Sequence, residues 1–568
     1  MDRDPSLPAQ GYRLRVASAG ATMEYADGAG RRYGLQTLAQ LRAQFPSRLP
    51  ELDIVDDPDI PTRGYMLDIS RNRVPTRRTL ERLVTILSLA RINHLQLYTE
   101  HTYAYRDHRV VWSAASPLTA DDLRWLDAHC AASGIELSAN QNCFGHMERW
   151  LLHERYAGRA ECIGGFDVMP GVRMPPSTFA PTIDNAAFAH TLFDELLPNF
   201  ASRRVNIGCD ETFELGKGAS RDACEARGTG VVFAEHVAKI AEPLLQQGYE
   251  VLFWADMLRS HPEGNSLLSA PGLTPVAWTY EAPRLASEPL RVPKAVKAIL
   301  DSLGIDLAAH NGFGPLVAAL PEREGPLWLA PGTSTWNSLI GRLDNAIANL
   351  DDALEVARRI GADGLLITDW GDNGHLQPPI VSMPAIVYGG ANAWCGSANH
   401  DLDLAAALDR FVFADPTGRL GGALDTLGRL WARTGQRPFN ASPLQAALCP
   451  HQPLFASGTV ERGAVAEILD ALDGSARTID AARPACEDGP LAVRELLAAT
   501  DLARHGAWRM ARAAGAGAPD ERFLRGHLGA AIEEFRACWL ARSQPGGLDE
   551  SAAHLERTLA SYPPSLPS

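Results

Sequence analysis

The sequence predicts an α/β protein built around a (β/α)8 TIM barrel, with a small N-terminal α+β domain and a helical C-terminal domain. From Gly64 to about Trp394, strand-like and helix-like runs alternate over roughly 330 residues, the pattern of repeated strand–helix units. After about residue 400 the chain changes to Ala, Leu and Arg at helical spacing. These two observations place the predicted domains at residues 1–58, 59–398 and 399–568. A doubly wound open sheet is the alternative for the alternating segment.

The N-terminal segment has the pattern of a small α+β domain. Tyr12–Val16 alternates like a strand, and Met23–Tyr25 forms a second candidate. A short helix is predicted after Tyr33 and ends before Pro46. Residues 56–61, Asp-Asp-Pro-Asp-Ile-Pro, are rich in turn formers and mark the domain boundary.

The central segment offers nine candidate strands for the eight positions of a barrel, so at least one candidate must be wrong. Amphipathic helices are predicted between them at Thr79–Ala90, from Ala120 onward, and at Asn349–Ile360. The candidate strands are Tyr65–Asp68, His94–Tyr98, Glu136–Ala139, Arg204–Ile207, Val251–Trp254, Pro275–Trp278, Asp306–Ala309, Leu327–Ala330 and Gly364–Thr368.

Long helices are predicted in the C-terminal domain at Val465–Leu472, Leu491–Arg512 and Phe523–Arg542. We interpret this domain as a scaffold that packs on the barrel, with a homodimer contact as the alternative.

The composition indicates an ordinary soluble globular protein. Apolar residues make up 46% and charged residues 21%, and the net charge of -15 argues against a nucleic-acid partner. Residues 1–5 contain no secretory signal, and no apolar run is long enough to span a bilayer. The nine cysteines show no Cys-x-x-Cys spacing, which indicates reduced thiols and argues against structural zinc. We therefore expect a cytoplasmic protein with no metal, cofactor or membrane partner.

Two adjacent acids, Asp210 and Glu211, follow the apolar strand candidate that ends at Ile207. Acids at the end of a barrel strand face a shared pocket. Because neighbouring carboxylates repel each other, their pKa values separate, and one can stay ionised while the other keeps its proton. Glycosidic bond cleavage needs this division of labour. Taken alone, an adjacent acidic pair is more often a solvated surface feature.

Aromatic and polar residues close several other predicted strands. Trp254, Trp278, Trp336 and Trp370 suggest flat walls for a sugar ring, although any one of them alone would be read as core packing. Arg63 and Asp372 are candidates for binding sugar hydroxyls, with a structural ion pair at the rim as the alternative. Further candidates are His146, which is more often structural when it stands alone, and Glu100, Asn142 and Tyr280.

Three segments together resemble the family 20 glycoside hydrolases, the β-N-acetylhexosaminidases. Residues 63–71, Arg-Gly-Tyr-Met-Leu-Asp-Ile-Ser-Arg, are similar to the first barrel strand of the family. Gly208-Cys209-Asp210-Glu211 resembles its Gly-x-Asp-Glu signature, and Trp370-Gly371-Asp372 resembles its last-strand Trp-x-acid pair. The resemblance covers about two thirds of the chain, including the whole barrel.

The resemblance implies substrate-assisted catalysis, in which the 2-acetamido oxygen of the sugar attacks the anomeric carbon. Glu211 would be the general acid and then the base, and Asp210 would orient the acetamido N–H. The sugar would be enclosed by Trp254, Trp278 and Trp370. Its outer hydroxyls would be held by Arg63 and Asp372, which would make the action exo. Glu211 would be supported by His146 and Glu100. The implied partner is an amino-sugar oligosaccharide or glycoside.

The sequence also departs from the family pattern. Asn206 and Asn142 stand where the family has His and Asp, Phe144 replaces a Pro, and Glu100-His101 replaces an Asp pair. The Tyr that contacts the oxazoline in the family matches either Trp336 or Tyr280. These departures indicate a divergent branch.

Two other functions stay open at this point. One is a conventional β-glycosidase, in which Glu211 works with Asp256, Glu281 or Asp372. The other is a non-catalytic glycan-binding protein that keeps the aromatic pocket.

Overall fold

The computed structural model describes residues 1–169, 171–284, 294–302, 311–320, 325–452 and 460–563. Its strands are β1 (Asp2–Arg3), β2 (Tyr12–Ala17), β3 (Gly20–Tyr25), β4 (Leu52–Asp56), β5 (Thr62–Asp68), β6 (His94–Thr99), β7 (Glu136–Gln141), β8 (Phe166–Met169), β9 (Val172–Met174), β10 (Arg204–Asn206), β11 (Glu250–Trp254), β12 (Leu273–Trp278), β13 (Trp328–Ala330) and β14 (Gly364–Asp369).

The helices of the first 400 residues are α1 (Gly28–Gln44), α2 (Arg77–Leu89), α3 (Arg109–Trp112), α4 (Ala120–Ala132), α5 (Glu148–Leu151), α6 (Glu154–Ala157), α7 (Ile183–Leu196), α8 (Arg221–Arg227), α9 (Thr229–Gln246), α10 (Asp256–Ser260), α11 (Lys294–Ser302), α12 (Phe313–Ala318), α13 (Leu343–Ile360) and α14 (Met383–Asn399). Those of the C-terminal region are α15 (Leu404–Ala407), α16 (Leu420–Arg429), α17 (Pro443–Leu448), α18 (Arg462–Asp480), α19 (Gly489–Ala513), α20 (Glu521–Arg542) and α21 (Leu548–Ala560).

Eight parallel strands close a barrel in the order β5-β6-β7-β10-β11-β12-β13-β14, and β14 pairs with β5 to complete the circle. The predicted (β/α)8 barrel is confirmed, and this last pairing excludes the open sheet. Eight of the nine candidate strands belong to the barrel, and the ninth, residues 306–309, lies outside the described residues. The N-terminal segment forms a four-stranded sheet, ordered β1-β3-β2-β4, with α1 packed against it.

Helix α2 illustrates why the sequence folds as it does. Its N-cap is Thr76, whose hydroxyl oxygen accepts a hydrogen bond from the N–H of Thr79. Buried apolar side chains then recur three or four residues apart and face the barrel. The helix begins two residues earlier than the apolar pattern predicts, because the cap and not the first apolar residue sets its start. These buried residues are Leu80, Leu83, Val84, Ile86 and Leu87.

The C-terminal helices pack on the loops that follow the first barrel strand. The N–H of Thr76 donates to the carbonyl of Arg542 at 2.9 Å, and that of Gln544 donates to Val74 at 2.8 Å. The guanidinium of Arg542 forms buried ion pairs with Glu495 and Asp488. The helical region therefore lies against the carboxyl-terminal face of the barrel, where the strands end. The homodimer contact stays a prediction.

All nine cysteines lie among the described residues and are free thiols. Within the same residues, no helix has the length and apolar character that crossing a membrane requires.

Candidate active site

Asp210 and Glu211 lie on a sharply turned segment just after β10. Gly208, Cys209 and Glu211 all have positive φ, and a Cβ atom at Gly208 would come within 1.4 Å of the Asn142 side-chain oxygen. Only glycine fits at that position, and the positive φ of Cys209 and Glu211 is a conformation that non-glycine residues adopt at some energetic cost. The turn directs both carboxylates into one cleft at the mouth of the barrel.

His146 joins the two acids. Its Nε2 lies 3.3 Å from Oδ2 of Asp210 and 3.4 Å from Oε2 of Glu211, and its Nδ1 lies 3.8 Å from Oε1 of Glu100. Burial opposes charge on the imidazole, but Asp210 and Glu211 outweigh burial and raise the pKa of His146 to about 10. His146 is therefore a cation at neutral pH and balances the charge of the carboxylates around it.

The pKa of Glu211 is raised chiefly by burial, and the charge of Asp210 adds to this effect while His146 opposes it. Glu211 thus tends to keep its proton, as a general acid must. The structure brings together the acid, its charged neighbour and the histidine, as the sequence predicted.

A buried chain of hydrogen bonds connects Asn142 to this group. The Nδ2 of Asn142 donates to the hydroxyl of Tyr98 at 2.7 Å, and that hydroxyl donates to Oε1 of Glu100 at 2.9 Å. Burial raises the pKa of Glu100. Asn142 and Glu100 thus support His146 from behind and do not border the cavity in which the two acids lie.

Aromatic side chains form the walls of this cavity, which has a volume of about 340 Å³. Trp254 and Trp370 stand with ring centroids 6.1 Å apart, and Trp278 stacks on Tyr280 at 5.2 Å with an interplanar angle of 18°. All four border the cavity, and flat apolar faces of this kind suit a sugar ring.

Trp336 is placed differently from the prediction. It is fully buried inside the barrel and packs edge-on against the ring of Tyr280, with centroids 5.2 Å apart, and it does not border the cavity. Of the two candidates for the tyrosine position of the family, Tyr280 faces the cavity and Trp336 supports it from behind. The predicted substrate contact of Trp336 is therefore wrong.

The prediction that Arg63 holds sugar hydroxyls is also wrong. Arg63 is 0% exposed and lies at the start of β5, at the opposite end of the barrel from the cavity. Its guanidinium donates to the backbone carbonyls of Arg91, Ile60 and Pro61, and to the side-chain oxygens of Gln10 and Tyr33. Arg63 thus joins the N-terminal domain to the base of the barrel.

Arg71, three residues beyond the end of β5, takes the position that was predicted for Arg63. Its Nε lies 3.1 Å from Oδ1 of Asp372 and its Nη1 lies 3.0 Å from Oδ2 of Asp68. The guanidinium also packs over the ring of Trp370 at 4.9 Å, and both Arg71 and Asp372 border the cavity. The strand-end rule that locates Asp210 also selects Arg71, because Arg71 follows the carboxyl end of β5 whereas Arg63 lies at its start.

Asp256 is a site residue that the sequence suggested only as an alternative nucleophile. It follows β11, and its Oδ2 accepts the backbone N–H of Glu211 at 3.0 Å. Burial, together with the charge of Asp210, raises the pKa of Asp256 to about 7. Asp256 therefore fixes the backbone of Glu211 and titrates near neutral pH.

The C-terminal region supplies two further parts of the cleft. Phe439 and Asn440 border the aromatic cavity. A polar cleft of about 460 Å³ adjoins it, shares Arg71, His146, Glu211 and Asp372 with it, and is lined on one side by Glu550 and His554 of α21.

Comparison with known families agrees with this geometry. Residues 1–57 match the model of glycosyl hydrolase family 20, domain 2, and residues 61–289 match the catalytic domain of the same family. Together the two matches cover just over half of the chain.

Two curated relatives illustrate the similarity. A protein named beta-hexosaminidase from Akkermansia muciniphila is 29% identical over 48% of this chain and 59% of its own length. Hexosaminidase D from Homo sapiens is 34% identical over 42% of this chain and 46% of its own length. The chain thus spans about half the length of the curated relatives that it matches.

Solved structures share the fold. The crystal structure of a beta-N-acetylhexosaminidase matches 73% of this chain and 90% of its own, with a TM-score of 0.53 and 21% identity. An exo beta-N-acetylglucosaminidase from Vibrio harveyi in complex with N-acetylglucosamine matches 75% of this chain and 68% of its own, with a TM-score of 0.52 and 15% identity. With the two family matches and the acidic pair Asp210-Glu211 that follows β10, the chain belongs to glycosyl hydrolase family 20.

Proposed function

We propose that this protein is an exo-acting, retaining β-N-acetylhexosaminidase that releases terminal β-linked GlcNAc or GalNAc by substrate-assisted catalysis. The observation that carries the proposal is the Asp210–Glu211 pair bridged by His146 in a cavity with aromatic walls. The curated relatives named as hexosaminidases support the same activity.

In the first step the acetamido oxygen forms a bond to the anomeric carbon while the glycosidic bond breaks. Glu211 gives its proton to the departing oxygen, so its raised pKa suits it to the task. Asp210 accepts the acetamido N–H and stabilises the positive charge that develops on the oxazolinium ring. In the second step a water attacks the anomeric carbon, Glu211 takes a proton from that water, and the acetamido group is restored.

Arg71 and Asp372 donate to and accept from the outer hydroxyls of the sugar. Their ion pair stands beside Trp370, where it limits the cavity and favours a terminal sugar over an internal one. His146 remains protonated through both steps, so the carboxylate left on Glu211 after proton transfer always faces a cation.

The conventional two-carboxylate mechanism has less support. Glu281 forms ion pairs with Arg284 and Arg342, each at 2.9 Å, and does not border the cavity. Asp372 is paired with Arg71, and Asp256 already accepts the backbone N–H of Glu211. Each alternative nucleophile is therefore held by another contact. A purely glycan-binding protein would have no need of a glutamate whose pKa is raised by burial in the cleft.

The test compares hydrolysis of p-nitrophenyl β-GlcNAc, β-GalNAc and β-glucoside, and of a disaccharide with a terminal β-GlcNAc as the substrate with a poor leaving group, by the wild-type protein and by Glu211→Gln. We expect cleavage of the acetamido sugars alone. The variant should lose about 10²–10⁴-fold in rate with poor leaving groups, and much less with the activated p-nitrophenol, because only a poor leaving group needs the proton. Cleavage of the glucoside would indicate an enzyme nucleophile, and equal losses on all leaving groups would remove Glu211 from the acid role.

A further inference from the structure

The catalytic cavity continues past Glu211 along two loops. Trp254 and Asp210 at its base are buried, whereas Phe213, Lys217 and Ser260 on the loops after β10 and β11 are partly or fully exposed. These loops therefore form the mouth of the cavity. In the proposed reaction the general acid Glu211 stands between the sugar and the leaving group. The leaving group would therefore lie toward the mouth, where Phe213 and Lys217 border the same cavity.

Lys217 is the residue of interest at this mouth. Its ammonium lies 4.9 Å from the centre of the Phe166 ring on β8, and the side chain is partly buried. Burial lowers the pKa of Lys217. Among the described residues no carboxylate lies within 4 Å of this ammonium, although the protein carries a net charge of -15.

The acidic residue nearest to Lys217 in the chain is already occupied. The carboxylate of Glu214 accepts the backbone N–H groups of Ser177, Thr178 and Cys162, together with the hydroxyl of Ser177. Glu214 thus organises its own loops; its charge acts on Lys217 and opposes the effect of burial on the lysine pKa, but its carboxylate is not within ion-pair distance of the ammonium. A partly desolvated cation whose partners are a ring face and a more distant carboxylate still gains from an anionic ligand.

The inner part of the cavity has the opposite character. Asp210, Glu211, Asp256 and Asp372 all border it. Cations inside the cavity already balance them, since Asp372 is paired with Arg71 and Asp210 with His146. In the described part of the chain the ammonium at the mouth has no such ion pair, so it attracts an anionic group on the sugar that leaves.

We propose that Lys217 binds an anionic group, a carboxylate or a sulfate, on the sugar to which the terminal amino sugar is attached. The protein then prefers glycans in which the amino sugar is linked to an acidic residue over those in which it is linked to a neutral one. This inference rests on the proposed hexosaminidase function.

The experiment measures binding by calorimetry in the Glu211→Gln background, where turnover does not interfere. The three ligands are disaccharides of one linkage, with the amino sugar attached to glucuronic acid, to 6-O-sulfoglucose or to glucose. We expect an acidic ligand to bind about three- to tenfold more tightly than the neutral one, the range for one charge-assisted contact at a partly exposed site. The acid that binds more tightly identifies the source of the charge.

Lys217→Gln added to this background should reduce the preference to near unity, whereas the matched surface variant Lys239→Gln should leave it unchanged. Raising the salt from about 20 to about 500 mM should also erode the preference, because the interaction is between charges near the surface. Equal affinities for all three ligands, or a preference that survives Lys217→Gln, would overturn the proposal. If the p-nitrophenyl acetamido sugars are not cleaved, the proposed function fails separately, since the binding measurement needs no turnover.

Discussion

The segment at residues 63–71 contains two arginines with different expected roles, Arg71 in substrate binding and Arg63 in stability. Matched substitutions of the two residues distinguish these roles. We expect Arg71→Met to lose activity while it keeps its fold. Arg63→Met should lose stability while its activity per folded molecule is maintained. The physical reason is position: Arg71 borders the catalytic cavity, and Arg63 is buried at the other end of β5.

The magnitudes follow from the contacts. In the proposed sugar complex Arg71 donates about two charge-assisted hydrogen bonds to sugar hydroxyls, and the loss of about 1.5–3 kcal/mol for each lowers kcat/KM by about 10²–10⁴-fold. The fold survives because Asp68, the buried partner of Arg71, also accepts the N–H groups of Ser70 and Gly371. Arg63 makes five hydrogen bonds, and at about 1 kcal/mol each their removal lowers the free energy of unfolding by about 5 kcal/mol.

The assay combines kcat/KM for p-nitrophenyl β-GlcNAc with urea unfolding followed by tryptophan fluorescence. Active-site titration corrects for the folded fraction of each variant. Should Arg63→Met prove too unstable to purify, Arg63→Lys keeps the charge and part of the hydrogen bonding and provides a milder step in the same direction. A loss of kcat/KM per folded molecule in the Arg63 variants equal to that of Arg71→Met would refute this division of roles.

Two pH-dependent predictions concern the surroundings of Glu211. The pKa of Asp256 is raised to about 7, so the folded state disfavours the ionised carboxylate. The free energy of unfolding is therefore highest below about pH 4 and falls as the pH rises to 7. The total loss is at most about 4 kcal/mol. Asp256→Asn should therefore be more stable than the wild type at pH 8 and no more stable at pH 4. Urea unfolding of both proteins at the two pH values checks this. A difference in unfolding free energy between variant and wild type that does not vary with pH would contradict the prediction. His146→Gln removes the cation that lowers the pKa of Glu211, so the alkaline limb of the kcat/KM profile should move to higher pH while kcat falls about 10–100-fold. A limb that moves to lower pH would show that His146 does not act on Glu211.

The barrel could be predicted because its signal is local and repeated. Strand and helix runs alternate along the chain, and each run carries its own periodicity. The ends of helices were less predictable: α13 begins at Leu343 and not at Asn349, because buried residues such as Leu343 and Ala346 extend its apolar face by almost two turns.

The position of the Asp210-Glu211 pair could also be predicted from the sequence, since all strands of a parallel barrel end at one face and the pair directly follows such a strand. The role of Asp256 could not. Its contact with the backbone of Glu211 joins the ends of two neighbouring strands, and residue spacing carries no information about which atoms meet there. The misplacement of Arg63 has another origin: the motif carries one arginine at the start of β5 and a second, Arg71, beyond its carboxyl end, and only the second lies at the face where the site forms.

The walls that the C-terminal region contributes to the cleft have a consequence for the redesign of this protein. Phe439 and Asn440 border the aromatic cavity, and Glu550 and His554 line the cleft beside it. A shortened gene that stops after α14 would encode both Asp210 and Glu211 and yet leave the cleft open on two sides. The barrel alone therefore does not form the complete site. Chimeras that replace the C-terminal helical region should also change part of the substrate specificity.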